Sequence, residues 1–317
     1  MTRAIRVVAW VVACLVLAEG TVRAVGLLIG RDQGIAGRPG ARVIYCLGDS
    51  FTYGQGVAAE ENWPNVLQRR LRAAVANPPE VRALAEPGRS SSVVVEKLAE
   101  VLHAGDARLV LILTGWNAND GDFAAHAEER NEVVPWTTTL DVWLLHSRLY
   151  KVVKHALTLR SRTLVLDDVR VVPQTAAMSL YDFRAYQEIA QKNLHQLARM
   201  CHAAAVPCAF LTYPHREMPT NPYTRTEYYH MIFGRTPLSE DDYLVHDRRP
   251  GEIAIDAIIR TVGQEEGVPV IDLQPPFAAA DRTDLFQKDL HHPTAPGHAL
   301  IAGTVFDATR SVLAPAS

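Results

Sequence analysis

Cysteine is scarce in this chain. Four residues in 317 are too few for the disulfide framework that replaces a hydrophobic core in small secreted domains. Cys14 lies in an apolar leader and Cys46 in an expected strand. Cys201 and Cys208 flank a helix-to-strand loop, where a disulfide and a reduced pair are both open. No Cys-x-x-Cys pair and no Cys/His cluster has metal-ligand spacing, so no metal and no cofactor is implied. Charge of one sign is missing as well. A formal net charge of −3, with no basic stripe, excludes a nucleic-acid or polyanion partner. Internal repeats and low-complexity tracts are absent. What remains is 48% hydrophobic and 21% charged, apolar enough to bury a sizeable core as one large domain or two small ones.

The leader is informative. Arg3 and Arg6 precede the apolar run from Val7 to Ala18, the order of a basic region and a hydrophobic region in a targeting segment. Apolar character resumes through Val22 and Val25 to Ile29, interrupted by Glu19 and Arg23 at a spacing that lets them pair on one helical face. A helix over residues 5–29 would be long enough to cross a bilayer, which needs roughly 20 residues. Cleavage after Ala18 or Ala24 would make the segment a signal peptide instead. Val11-Val12-Ala13-Cys14 resembles a lipoprotein box, but the apolar run before it is short and Leu15 to Leu17 continue it. Either way the body is expected outside the cytoplasm: anchored to the inner membrane by residues 1–30, or secreted or periplasmic if the leader is cleaved. Residues 31–41 form a Gly/Pro-rich linker, and residues 42–312 a catalytic body.

Within that body, apolar runs alternate with helical patterns. Val43 to Leu47 reads as a buried strand ending at Gly48-Asp49-Ser50. Glu61 to Ala76 is helical, with Trp63, Val66, Leu67 and Leu71 at core spacing. Glu80 to Leu84 is a second strand, and Ser90-Ser91-Ser92 can cap a helix to about His103. Arg108 to Thr114 is continuously apolar, as a parallel strand buried on both faces would be. An amphipathic helix over Leu140 to Leu157 follows, its Trp143, Leu144, Leu145 and Leu149 stripe expected in the core. A long helix from Tyr181 to Ala204 feeds the strand Pro207 to Tyr213. Residues 214–250 lack periodicity. The helix Gly251 to Glu266, the strand Val268 to Leu273 and a last helix from Ala295 to Val312 complete the series. Five parallel strands separated by helices predict an α/β three-layer sandwich, with long inserts after the third and fourth strands.

In such sheets chemistry sits at the carboxyl ends of the strands, and every such loop here carries polar residues. The first ends at Ser50. The second runs into Glu86-Pro87-Gly88-Arg89-Ser90, the third into Gly115-Trp116-Asn117-Ala118-Asn119-Asp120, and the segment after the fifth into Asp289-Leu290-His291-His292-Pro293. Acyl transfer needs a nucleophile, a base, an orienting carboxylate and donors aimed at a developing oxyanion. Ser50 would be the nucleophile, His292 its base and Asp289 the carboxylate that orients the imidazole. The oxyanion donors would be the backbone N–H groups of Ser50 and Gly88 and the side-chain amide of Asn117. His291 is the weaker base, because His292 stands three residues beyond Asp289 and directly before Pro293. Asp49 reads as a turn cap, and Trp116 as either pocket lining or packing.

These residues resemble the SGNH (GDSL-type) hydrolase superfamily. Its first block, Gly-Asp-Ser, is matched by Gly48-Asp49-Ser50, and the glycine of its second by Gly88. Gly-x-Asn is matched by Gly115-Trp116-Asn117, and Asp-x-x-His-Pro by Asp289 to Pro293 with Gly297-His298 following. The blocks fall in the family's order across residues 42–310. The resemblance implies a flavodoxin-like sheet and hydrolysis or transfer of carboxylic acyl esters. More loosely, the chain is similar to the family's membrane-anchored bacterial branch, which suggests an acylated carbohydrate as substrate. O-acetyl transfer with the same Ser-His-Asp set, or a catalytically silent polysaccharide-binding role, are the alternatives. The chain departs from the pattern twice. Ala85-Glu86 stands where many members carry Asn, and Ala118 and Asn119 intervene before Asp120. Asn119 is therefore a second candidate donor, with Asn117 favoured by its spacing from Gly115.

Overall fold

The computed structural model describes residues 3–29, 43–130, 136–144, 147, 149–150, 152–153, 183–215, 249–280, 283–287 and 291–313. They fall into two units. One holds residues 35–119 and 186–317; the other holds residues 1–34 and 120–185.

The first unit is built on five parallel strands: β1 (Val43–Gly48), β2 (Glu80–Ala85), β3 (Ala107–Leu113), β4 (Cys208–Leu211) and β5 (Val270–Ile271), in the order β2-β1-β3-β4-β5. Every residue of β1 is buried, as are the last five of β3. The uninterrupted apolar runs have this cause: a central parallel strand faces helices on both sides and has no solvent face to alternate toward. The order places β1 and β3 side by side, pairing Gly48 with Leu113. Their two following loops therefore start as neighbours at one edge of the sheet.

Helices cover both faces. They are α3 (Trp63–Ala74), α4 (Ser91–Ala104), the part of α7 (Phe183–Ala203) from Tyr186 onward, α8 (Arg249–Glu266), α9 (Gln274–Ala280) and α10 (Ala295–Leu313). Trp63, Leu67 and Leu71 are fully buried on α3, on the i, i+4, i+8 stripe that the spacing predicted. Asn62 caps that helix by accepting from the Asn65 N–H at 3.0 Å. Ser90 stands at the N-cap of α4 but makes no capping bond; its hydroxyl lies 3.0 Å from Ser92 Oγ and accepts from Asn119 Nδ2 at 2.9 Å. Below the sheet the Tyr45 hydroxyl donates to Asp106 Oδ1 at 2.8 Å, and burial pushes it up to about 12. Cys46, Cys201 and Cys208 are buried free thiols. The expected strands at Pro207 to Tyr213 and Val268 to Leu273 are shorter than read, with ladder pairing confined to Cys208–Leu211 and Val270–Ile271, although Pro207, Pro269 and Thr212 still bond across to neighbouring strands.

The second unit contains α1 (Arg3–Ile29), α5 (Asp120–Glu129) and α6 (Trp136–Leu144), with residues 149–150 and 152–153 also helical. Glu19 and Arg23 pair at 2.7 Å, as their spacing predicted. Glu19 also accepts from the Ser147 hydroxyl and the Leu149 N–H, both at 2.8 Å, while Ser147 Oγ accepts from the Tyr150 N–H. Trp143 is 68% exposed, which overturns its expected place in the core. Trp136, Leu140 and Trp143 make one exposed stripe on α6, so that helix turns its apolar face outward. Among the described residues no helix is long and apolar enough to cross a membrane. The side chains of Val7, Val8, Ala9, Val11 and Val12 on α1 lie outside the described ones.

Candidate active site

β1 ends in a turn built for close approach. A Cβ on Gly48 would overlap Thr52 Oγ1 and come within 2.5 Å of the Leu113 carbonyl oxygen on the next strand. Only glycine lets the strand run this close to β3 before it turns. The chain then enters a single helical turn, α2 (Ser50–Tyr53). Asp49 caps it by accepting from the Phe51 N–H at 3.0 Å, and Gly54 closes it in a left-handed conformation with φ +83°. Ser50 is thereby presented at the carboxyl edge of the central strand.

His292 reaches Ser50 from the other end of the chain. Its Nε2 lies 2.9 Å from Ser50 Oγ, across 242 residues of sequence. The segment carrying it is held at several points. Gln287 N–H donates to the His292 carbonyl at 2.8 Å, Thr294 N–H donates to Leu285 O at 2.9 Å, and Phe286 pairs with Pro293. The Gln287 side chain links the two halves of the site, its amide donating to both Gln55 O (2.6 Å) and Pro293 O (2.8 Å). No sequence signal marks Gln287; it matters only because the fold brings the turn after α2 against the His292 segment. Asp289 lies outside the described residues.

His291 does not face Ser50 through a hydrogen bond. It is 3% exposed, with ring centroids 4.7 Å from Phe51 and 5.2 Å from Trp116. These ring contacts are packing, and it is His292 that reaches the Ser50 hydroxyl. Trp116 is half-buried, against His291 and Tyr186.

The loop after β3 turns at Gly115, with φ +122°, and delivers Asn117. Its Nδ2 donates to Asp49 Oδ2 at 3.0 Å, next door to Ser50. An amide nitrogen carries two hydrogens, so this bond leaves the second for another acceptor. Asn119, the other candidate, points its amide at Ser90 instead. The second-block loop is tied in as well: Ser91 N–H donates to Asn117 O at 3.3 Å, and Asn193 Nδ2 to Ser91 Oγ at 2.9 Å. Gly88 sits in that loop at φ +70°. Glu86, one of the departures from the family pattern, has its own use here. Arg89, only 8% exposed, pairs with it at 2.8 Å and donates through Nη1 to Leu84 O, also at 2.8 Å. A buried arginine thus holds the turn around Gly88.

Asp49 is the residue whose importance exceeds its expected one. It is fully buried, and burial holds its carboxyl above the usual range. Bonds from Tyr213 and the Phe51 N–H, and the nearby His291 and His292, work in the other direction. Tyr213, just beyond β4, donates to Asp49 Oδ2 at 2.7 Å. His298 is also fully buried, and burial, with His292 nearby, lowers it to about 4. A serine hydroxyl and an imidazole in hydrogen-bond contact, with an asparagine amide nearby, are groups from which acyl-transfer chemistry can be built.

Several solved structures are similar to this chain at low identity. A lipase/acylhydrolase from Enterococcus faecalis is 15% identical, covering 87% of this chain and 99% of its own, with a TM-score of 0.48. The psychrotrophic esterase EstA from Pseudoalteromonas sp. is 15% identical over 85% of this chain and 97% of its own, TM-score 0.46. A catalytic mutant of Axe2, an acetylxylan esterase from Geobacillus stearothermophilus, is 13% identical over 86% and 94%, TM-score 0.48. No curated protein matches. Residues 46–300, from the end of β1 into α10, match the GDSL-like Lipase/Acylhydrolase family, and the chain belongs to it: this is a carboxylic ester hydrolase.

Proposed function

We propose that the chain is an extracytoplasmic serine esterase that hydrolyses small carboxylic acyl esters through an acyl-enzyme, with a carbohydrate as the alcohol part. The observation that carries this is the 2.9 Å contact between Ser50 Oγ and His292 Nε2. In that reading Ser50 attacks the ester carbonyl while its proton passes to His292 Nε2. The tetrahedral oxyanion is met by the Ser50 and Gly88 N–H groups and by the second N–H of Asn117. Collapse expels the alcohol, which takes the proton back from His292. Water, deprotonated by His292, then attacks the acyl-serine, and Ser50 leaves with the proton. Asp289 holds the imidazole tautomer throughout. No cofactor takes part.

The half-buried indole of Trp116 supports a sugar ring beside the site, since aromatic faces suit the apolar face of a pyranose. A sugar hydroxyl in place of water would make the same machinery an O-acetyltransferase. A fluorophosphonate probe tests the reading directly: it should label Ser50 in the wild type and leave Ser50→Ala unlabelled and inactive on p-nitrophenyl acetate. A wild type that is neither labelled nor active would leave only a silent binding role. Adding an oligosaccharide acceptor and analysing products separates hydrolysis from transfer.

The location rests on Arg3 and Arg6 ahead of an apolar run, which keep the amino terminus cytoplasmic and the body outside. An anchored protein sediments with membranes, resists carbonate extraction and keeps its amino-terminal residues by mass spectrometry. Soluble protein starting at Glu19 or Val25 would show a cleaved leader instead.

A further inference from the structure

Tyr213 belongs to none of the family blocks, yet its hydroxyl lies within the site. It is fully buried. Its hydroxyl donates to Asp49 Oδ2 at 2.7 Å and accepts from the Trp116 N–H at 3.3 Å. Its own N–H is fixed by Asp256 Oδ1 at 2.7 Å, and its ring meets Phe51 edge-on at 4.9 Å. Asp49 Oδ2 accepts from Asn117 Nδ2 as well, and Oδ1 accepts from the Phe51 N–H. Asp49 therefore faces three donors, and an ionised carboxylate, which is acceptor-only, suits all three better than a protonated one that must also place a proton. Against a carboxylate the Asn117 amide has one good orientation, nitrogen inward. Its second N–H then diverges in the amide plane, away from Asp49.

We propose that Tyr213 is a positioning residue for the oxyanion site: it holds Asp49 as an acceptor, so that Asn117 turns an N–H and not its oxygen toward the reacting carbonyl. This rests on the esterase reading above. Without the Tyr213 hydroxyl, Asp49 loses its shortest bond. A protonated Asp49 can donate to Asn117 Oδ1, and the amide is free to flip. The groups bearing on the Asp49 charge are Tyr213, His291 and His292, with Tyr186 and Asp256 behind Tyr213. The Tyr213 bond favours the ionised form, so its loss carries the protonated form to higher pH.

The test is Tyr213→Phe on the full chain, with p-nitrophenyl acetate. kcat falls about tenfold or more at pH 7, a part of the 10²–10³ that a whole oxyanion donor contributes. KM stays within about twofold, and the acid limb of the kcat–pH profile moves to higher pH. In an Asn117→Ala background the same change adds less than about twofold, because its route runs through Asn117. Wild-type kcat and an unmoved limb, or a full loss on top of Asn117→Ala, would overturn the proposal. If Tyr213→Phe does not fold, Asp49→Asn carries the test: its single acceptor oxygen cannot serve three donors, and its loss of about tenfold must again vanish in Asn117→Ala. A wild type without turnover or fluorophosphonate labelling removes the esterase reading itself, a result distinct from an active enzyme indifferent to Tyr213.

Discussion

Gly48→Ala isolates what the close approach of β1 and β3 does for catalysis. The new Cβ would stand 2.5 Å from the Leu113 carbonyl oxygen, whereas ordinary contact begins at 3.4 Å. Thr52 can rotate its hydroxyl away, but Leu113 O is backbone at the buried end of β3 and cannot. Relief therefore needs a shift of about 0.9 Å at the end of β1, two residues before the nucleophile. Passed on to Ser50, it would open the 2.9 Å contact with His292 to beyond hydrogen-bond reach, about 3.5 Å. A misplacement of about 1 Å costs on the order of 10²-fold in rate. Overpacking of this kind costs about 2 kcal/mol, or a melting point lower by roughly 4–8 °C for a body of this size. Thermal melts and kcat/KM on p-nitrophenyl acetate, measured on the same preparation, check both numbers. A variant within threefold of wild type in kcat/KM would refute the reasoning, since Ser50 would then not depend on the strand end for its position.

The two adjacent histidines separate by role. His292→Ala should abolish turnover as completely as Ser50→Ala, because the two act as a unit. His291→Ala should keep kcat within about tenfold while costing about 2 kcal/mol, because it empties a packed site between Phe51 and Trp116; reversed outcomes would move the base to His291. His298 gives a pH signature. It is held at about 4 when folded, against about 6.5 in the unfolded chain. The unfolded chain thus binds more protons between these values, and stability falls as pH drops from 6.5 toward 4, by up to about 3 kcal/mol. Neither ring nitrogen has a partner among the described residues. His298→Phe should therefore gain on the wild type as pH falls from 7 to 4.5 in denaturant melts, and a constant difference would show that His298 protonates freely when folded.

The central strands and the block order were readable because continuous apolar runs report burial on two faces, and because chain order at strand ends survives folding. Ser50, His292, Gly88 and Asn117 all come from that reading, and the structure brings Ser50 against His292 and Asn117 against Asp49. Long-range partners outside those blocks were not readable. Asp49 looked like a local cap because its bond to Phe51 is local; its bond to Tyr213 spans 164 residues, and nothing in periodicity encodes that. Tyr213 reads only as the last residue of a strand; its place at that strand's carboxyl end is the one available hint. Arg89 reads only as part of the polar loop after the second strand, a reading that does not include its burial, which two acceptors allow. Trp143 failed in the opposite sense: a helical stripe shows that one face is apolar, but not what that face turns toward.

Glu19 gives the leader a schedule. Its carboxylate receives Ser147 and Leu149, groups made roughly 130 residues later, so this contact forms only when nearly half the chain has emerged. A peptidase cutting after Ala24 before that moment would take away the acceptor on which those two donors close. One cutting after Ala18 would leave Glu19 as the first residue, its new ammonium competing with Arg23 for the same oxygens. If the leader is cleaved at all, cleavage and completion of this part of the fold would be set against each other in time, and the order of the two would decide whether Glu19 keeps its bonds to Ser147 and Leu149.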